Sequence, residues 1–157
     1  MELAISRSTK KTLRFTKEEI EELLDSRYGR RTTALVLSLL YPGARLTDLY
    51  HQDHVVPRSV LRESRLKGEG LSELDMQAIA ARRDRVPNLQ LLPAPQNVEK
   101  SKKSLREYLY TIKPLSKRQH YLDFHDIVFV PKDVTEFLRF YEARREVMRQ
   151  RLQHELS

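Results

Sequence analysis

Apolar positions at Val134, Phe137, Leu138, Tyr141 and Met148, spaced by three, four and seven residues, lay one face of a long amphipathic helix along "DVTEFLRFYEARREVMRQRLQHEL". At the other end, "FTKEEIEELLDSRYG" has Thr16 as an N-cap, Glu19 to close a capping box and Gly29 as a stop, which predicts a helix over 17–28. A second helix is expected over 31–41, ending at the "YPG" turn of Pro42 and Gly43. "RLTDLYHQDHVVP" reads as extended chain running into a short strand near His54 to Val56, limited by Pro57. A connection of about thirty residues follows, with a glycine break at "KGEG" and a helix capped by Ser72 that runs to about Arg83. "NLQLLP" predicts a second strand stopped by Pro93 and Pro95. Val98, Leu105, Tyr108 and Leu109 suit a helix over 97–109, loosened at "KSKKS", and "HDIVFVP" reads as one further strand. No internal repeat or low-complexity tract interrupts this order.

The chain of 157 residues is long enough for one domain with a real core. Its 39% hydrophobic and 32% charged residues suit a water-soluble globular protein, and the longest apolar run, "ALVLSLLY", is far too short to span a bilayer. No membrane partner is expected, and "MELAISRSTKK" lacks the features of a secretory signal, so a cytoplasmic location is expected. There is no cysteine, which excludes disulfides, thiolate catalysis and Cys-ligated zinc. The net charge of +7 favours polyanionic partners. It is unevenly placed: residues 99–118 carry seven basic against two acidic side chains, a net +5, and residues 1–17 carry five against one, a net +4.

One stretch, "YHQDHVVPRS", sets Asp53 and His54 side by side before two valines and Pro57. Taken singly, Asp53 reads as a turn or cap residue, His54 as a surface or hydrogen-bonded histidine, Asn88 after Pro87 as turn chemistry and Asn97 as a helix cap. Taken in order, Asp53-His54, Pro57, Asn88-Leu89, Leu92, Asn97 and Lys100 resemble the HNH, or ββα-metal, endonuclease motif over roughly residues 50–105. Within that family, "DHVVPRS … NLQLLPAPQNVEKSKKS" looks most like the HNH domains at the C-terminal end of GmrSD-type modification-dependent restriction proteins.

The resemblance implies an α+β fold, a small ββα-metal core embedded between N-terminal and C-terminal helices. Its parts would be a helical segment 1–45, a core 46–112 with an insertion at 60–86, and a strand and long helix in 113–157. It also implies a metal-dependent DNA endonuclease or nickase in bacterial defence against foreign DNA. Hydrolysis of a phosphodiester needs an activated water and a cation to neutralise charge on the phosphate. His54 would be the general base. Asp53, on the other side of the strand from its neighbour, would be one metal ligand and Asn97 the second. Asn88 would tie the loop to the His54 backbone so that the imidazole is aimed. Lys100, Lys102, Lys103 and Arg106 would hold backbone phosphates without reading sequence, Lys100 and Lys103 acting together and Lys102 pointing elsewhere.

Many HNH proteins carry a CxxC pair that binds a structural zinc. Here those places are held by Pro93 and Gln96, so flanking helices must support the core. Oxygen ligands favour one magnesium or manganese ion over zinc. His51 is read as a surface residue, and His120 and His125, five apart, as structural. The relatives it resembles place a nucleotide-hydrolysing or modification-reading domain upstream. This sequence has no P-loop, so a C-terminal fragment of a larger protein is one reading beside a single domain, and on that reading an upstream sensor or NTPase domain or partner subunit is an expected partner beside DNA. Competing readings are a nucleic-acid-binding module without turnover, a regulatory interaction domain resting on the long C-terminal helix, and a hydrolase using Ser59, around which no nucleophile elbow exists.

Overall fold

Thr16 caps the first described helix as its pattern dictates: its hydroxyl accepts from the Glu19 amide and the Glu19 carboxylate accepts from the Thr16 amide. The computed structural model describes residues 14–44 and 49–156, so Arg7, Lys10 and Lys11 of the basic N-terminal stretch lie outside the described residues. The described elements are α1 (Lys17–Leu24), α2 (Arg31–Leu40), β1 (Tyr50–His54), α3 (Glu63–Leu66), α4 (Glu73–Arg82), β2 (Leu89–Pro93), α5 (Ala94–Lys100), α6 (Leu105–Thr111), α7 (Leu115–Phe124) and α8 (Phe137–Leu156). The class is α+β, mainly helical around one two-stranded antiparallel sheet. No helix among the described residues is long and apolar enough to cross a membrane.

β1 pairs with β2 from Tyr50 opposite Pro93 to His54 opposite Leu89. Leu89 and Leu92 fall an odd number of residues apart, so they face opposite sides. Leu92 joins a core with Val55, Leu61, Ile79, Tyr108, Phe137 and Phe140, while Leu89 joins a second core with Ile20, Leu24, Val36, Leu37, Met148 and Leu152. α8 serves both, giving Phe137, Phe140 and Tyr141 to one and Met148 and Leu152 to the other. Between these groups on α8 lies Arg144, fully buried. Its Nε donates to the His125 carbonyl at 2.9 Å, Nη1 to the carbonyls of Pro87 at 2.8 Å and Leu89 at 2.6 Å, and Nη2 to the Tyr41 hydroxyl at 3.3 Å.

Several expectations need correction. α1 ends at Leu24, short of Tyr28, and the chain then turns so that Arg27 bridges Arg85 before Gly29 adopts φ +79°. The first strand is Tyr50–His54, earlier than His54–Val56, because Val55 and Val56 leave the sheet to fill the core. The single helix expected over 97–109 is two, α5 and α6, broken where Ser101 takes φ 46° and Ser104 caps anew. "HDIVFVP" is not a strand: after Asp126 at φ 55°, its Ile127, Phe129 and Val130 pack as irregular chain. α7 escaped sequence reading because only Tyr121 of its ten residues is buried, leaving no periodic stripe.

His125 ends α7 buried, its Nδ1 accepting from the Tyr41 hydroxyl at 2.7 Å. Burial, with the Arg144 and Lys100 charges adding to it, pushes the imidazole down from 6.5 to about 3. The unfolded chain therefore takes up a proton below pH 6.5 that the folded chain refuses until about pH 3. The stability linked to neutral His125 is present above that range and lost as pH falls through it. Urea unfolding should show stability decreasing by up to ~1.4 kcal/mol per pH unit below about pH 6, and His125→Gln should flatten that slope. A wild-type stability independent of pH between 6.5 and 5 would contradict the assignment.

Candidate active site

β1 delivers Asp53 and His54 to opposite faces of the sheet at its Leu89 end, and the two side chains meet different surroundings. On one side, Asp53 Oδ2 accepts from Gln90 Nε2 at 2.9 Å, its cross-strand partner, and lies 2.9 Å from Lys100 Nζ. The same ammonium donates to the His54 carbonyl at 2.8 Å. Lys100 is 0% exposed, so it does not face solvent as a phosphate contact requires. Burial drives its pKa down, with Asp53 acting in the opposite direction. Lys103 is exposed and its Nζ caps the Glu99 carbonyl at 2.6 Å, so the expected joint face of Lys100 and Lys103 does not exist. Lys102, Lys103 and Arg106 are exposed as a phosphate-holding role demands.

On the other side, His54 Nε2 meets Asp84 Oδ1 at 2.9 Å. A carboxylate is an acceptor, so Nε2 carries the proton, and in the neutral imidazole the lone pair is on Nδ1. The Tyr28 ring lies 4.8 Å from the imidazole, tilted by 38°. Its loop is held by the Tyr28 amide donating to the Asp84 carbonyl at 2.7 Å and the Gly29 amide donating to Gln52 Oε1 at 2.9 Å. Arg58 Nε stands 3.6 Å from Asp84 Oδ1 with its side chain 56% exposed. His54 is thus partly buried, oriented by a carboxylate and edged by an aromatic ring and an exposed guanidinium.

Asn88 is fully buried and clamps the chain beyond β1. Its Oδ1 accepts from the Val56 amide at 2.9 Å, while Nδ2 donates to the carbonyls of Val56 at 3.1 Å and Arg83 at 2.9 Å. Its own carbonyl accepts from the Val55 amide at 2.8 Å. The expected tie to the His54 backbone is therefore made two residues later, and Lys100 holds His54 instead. Asn97 is half-buried in the middle of α5, not at a helix start, one turn before Lys100 and on the same face.

As metal ligands, the residues present offer hard oxygens only. Among the described residues, no three His, Asp, Glu or Cys side chains gather as a ligand cluster. Asp53 Oδ2 is already engaged by Gln90 and Lys100, which leaves Oδ1, and Asn97 lies on the helix that packs on both strands; oxygens of this kind would suit a cation that keeps most of its water, as magnesium does. His51 is exposed on β1 and takes no part. Asp84, Tyr28 and Gln90 were missed in the sequence. Asp84 left one signal, a single acid set among Arg82, Arg83 and Arg85 just before Asn88. No protein-family model matches this sequence, and no curated protein is significantly similar to it.

Lys100 supplies a direct test of this arrangement. Lys100→Met leaves the His54 carbonyl without its donor and Asp53 without its ion pair, and should cost about 3 kcal/mol in urea unfolding. Lys102→Gln, at an exposed position, should stay within ~0.5 kcal/mol. Equal, small effects would contradict the buried pair.

Proposed function

We propose that this chain is a divalent-metal-dependent DNA endonuclease or nickase of the HNH kind, with His54 as general base. The reading rests above all on one observation: Asp53 and His54 stand at the end of an antiparallel strand pair, with the helix that follows β2 packed on both strands and a carboxylate fixing His54 Nε2. Asp84 holds the ring so that Nδ1 can take a proton from the attacking water. Asp53 and Asn97 would hold a magnesium or manganese ion, which when bound neutralises charge on the phosphate and leaving oxygen. Lys100 and Gln90 fix the Asp53 carboxylate, and the exposed Lys102, Lys103, Arg106 and Arg58 hold backbone phosphates by charge alone. The defence setting, and an upstream sensor or NTPase domain or partner subunit, follow from the resemblance of the motif.

A second reading, a nucleic-acid-binding module without turnover, is favoured by the Lys100 ammonium on Asp53 Oδ2, which competes with a cation for that oxygen. Variant kinetics separate the two. With supercoiled plasmid as substrate, His54→Ala should reduce nicking about 100-fold or more while DNA affinity changes less than about twofold, since a base acts on the transition state more than on ground-state binding. Asp84→Asn should fall between wild type and His54→Ala. EDTA should abolish turnover, with magnesium or manganese restoring it and zinc doing so poorly. More than about a tenth of the wild-type rate in His54→Ala contradicts the base assignment, and full activity in EDTA removes the metal.

A further inference from the structure

A cleft of about 600 Å³ opens beside the far end of the sheet, bounded by Tyr50 and Pro93, by the Gln96 and Glu99 side of α5, and by α6 and α7. Its floor is aromatic: Tyr108, Tyr121 and His125 are buried there. Its rim on the α7 side is cationic, with Lys113 and Lys117 exposed, neither in an ion pair among the described residues. His120 and Phe124, one turn apart on α7, present exposed rings at 26° to each other with centroids 6.4 Å apart, a flat aromatic ledge above that floor. Glu99 on the opposite wall makes that side unfavourable for an anion, which leaves the Lys113 and Lys117 side for one.

Two hydrogen bonds tie this cleft to the candidate site. The Tyr121 hydroxyl donates to Gln90 Oε1 at 2.8 Å, and Gln90 Nε2 donates to Asp53 Oδ2 at 2.9 Å. Tyr50, at the cleft, precedes Asp53 by three residues of β1, about 10 Å along an extended strand, within the reach of one bound nucleic-acid strand. Aromatic faces with unpaired cations at the edge are the chemistry that holds unstacked nucleotides, a base on the ring and its phosphate on the ammonium groups. Acidic peptides would use the cations but not the ledge, and a duplex would use neither face fully because its bases are already stacked.

We infer that this cleft is a subsite for an unstacked nucleotide of single-stranded DNA, its base against the His120 and Phe124 ledge and its phosphate at Lys113 and Lys117. The inference rests on the nucleic-acid reading of the Asp53 and His54 site but does not require turnover. Fluorescence anisotropy in EDTA with a labelled oligodeoxythymidine and a blunt duplex of equal length tests it. All three rim positions to be changed are exposed, so the variants keep the core.

His120→Ala should weaken single-strand binding about fivefold or more, and duplex binding less than about twofold. Lys113→Gln with Lys117→Gln should reduce the magnitude of the single-strand salt slope by about 0.7 for each phosphate no longer neutralised. Unchanged single-strand affinity in both variants overturns the subsite, as does an equal loss on single strand and duplex, which would signal a general field. A wild-type chain that binds neither oligonucleotide removes the nucleic-acid reading and the subsite with it. If His54→Ala nicks at the wild-type rate while the rim variants lose single-strand preference, the catalytic assignment falls and the subsite stands.

Discussion

Arg144 is a guanidinium that forms no salt bridge among the described residues and is held in the interior by three backbone carbonyls and a tyrosine hydroxyl. An interior cation is costly unless its donors are used, and here they are used on three backbone carbonyls and a hydroxyl. Pro87 and Leu89 flank Asn88, His125 ends α7, and Tyr41 ends α2. One side chain from α8 therefore fixes the approach to β2, the end of α7 and the end of α2 at once. Apolar packing on either side of it, through Tyr141 and Met148, sets the depth of α8, while Arg144 sets its register.

The candidate site inherits its geometry from that anchor. With Pro87 and Leu89 held, Asn88 lies where its amide can clamp both backbone groups of Val56, which fixes the chain leaving β1. Lys100 then closes the other side, bonding the His54 carbonyl and Asp53 together. Asp53 and His54 are thus rigid in backbone but opposite in direction, one facing an ammonium and an amide, the other a carboxylate and an aromatic ring. With no cysteine available for a structural metal or a disulfide, the chain relies here on buried polar bonds and a long helix.

What the sequence made legible follows from range. Local signals were read correctly where one physical cause acted alone: the Thr16 capping box, the Ser72 cap, the strand at Leu89–Pro93 and the long α8. The order of Asp53, His54, Asn88, Asn97 and Lys100 was visible as a motif, but their partners were not. Lys100 looked like a surface cation because nothing local distinguishes a lysine that snorkels to water from one drawn inward by an aspartate and a carbonyl more than forty residues away. Asp84, Tyr28 and Arg144 act across distant chain segments, and such pairings leave no period or cap to read. α7 lacked an apolar stripe, and "HDIVFVP" had strand composition but, among the described residues, no strand beside it to pair with.

The most direct test is incubation of the purified wild-type chain with supercoiled plasmid in magnesium or manganese, following topology and DNA binding in the same samples. The account predicts conversion of supercoiled to nicked or linear DNA. Plasmid that is bound yet stays supercoiled over a long incubation would contradict it, leaving the Asp53 and His54 site as part of a binding surface.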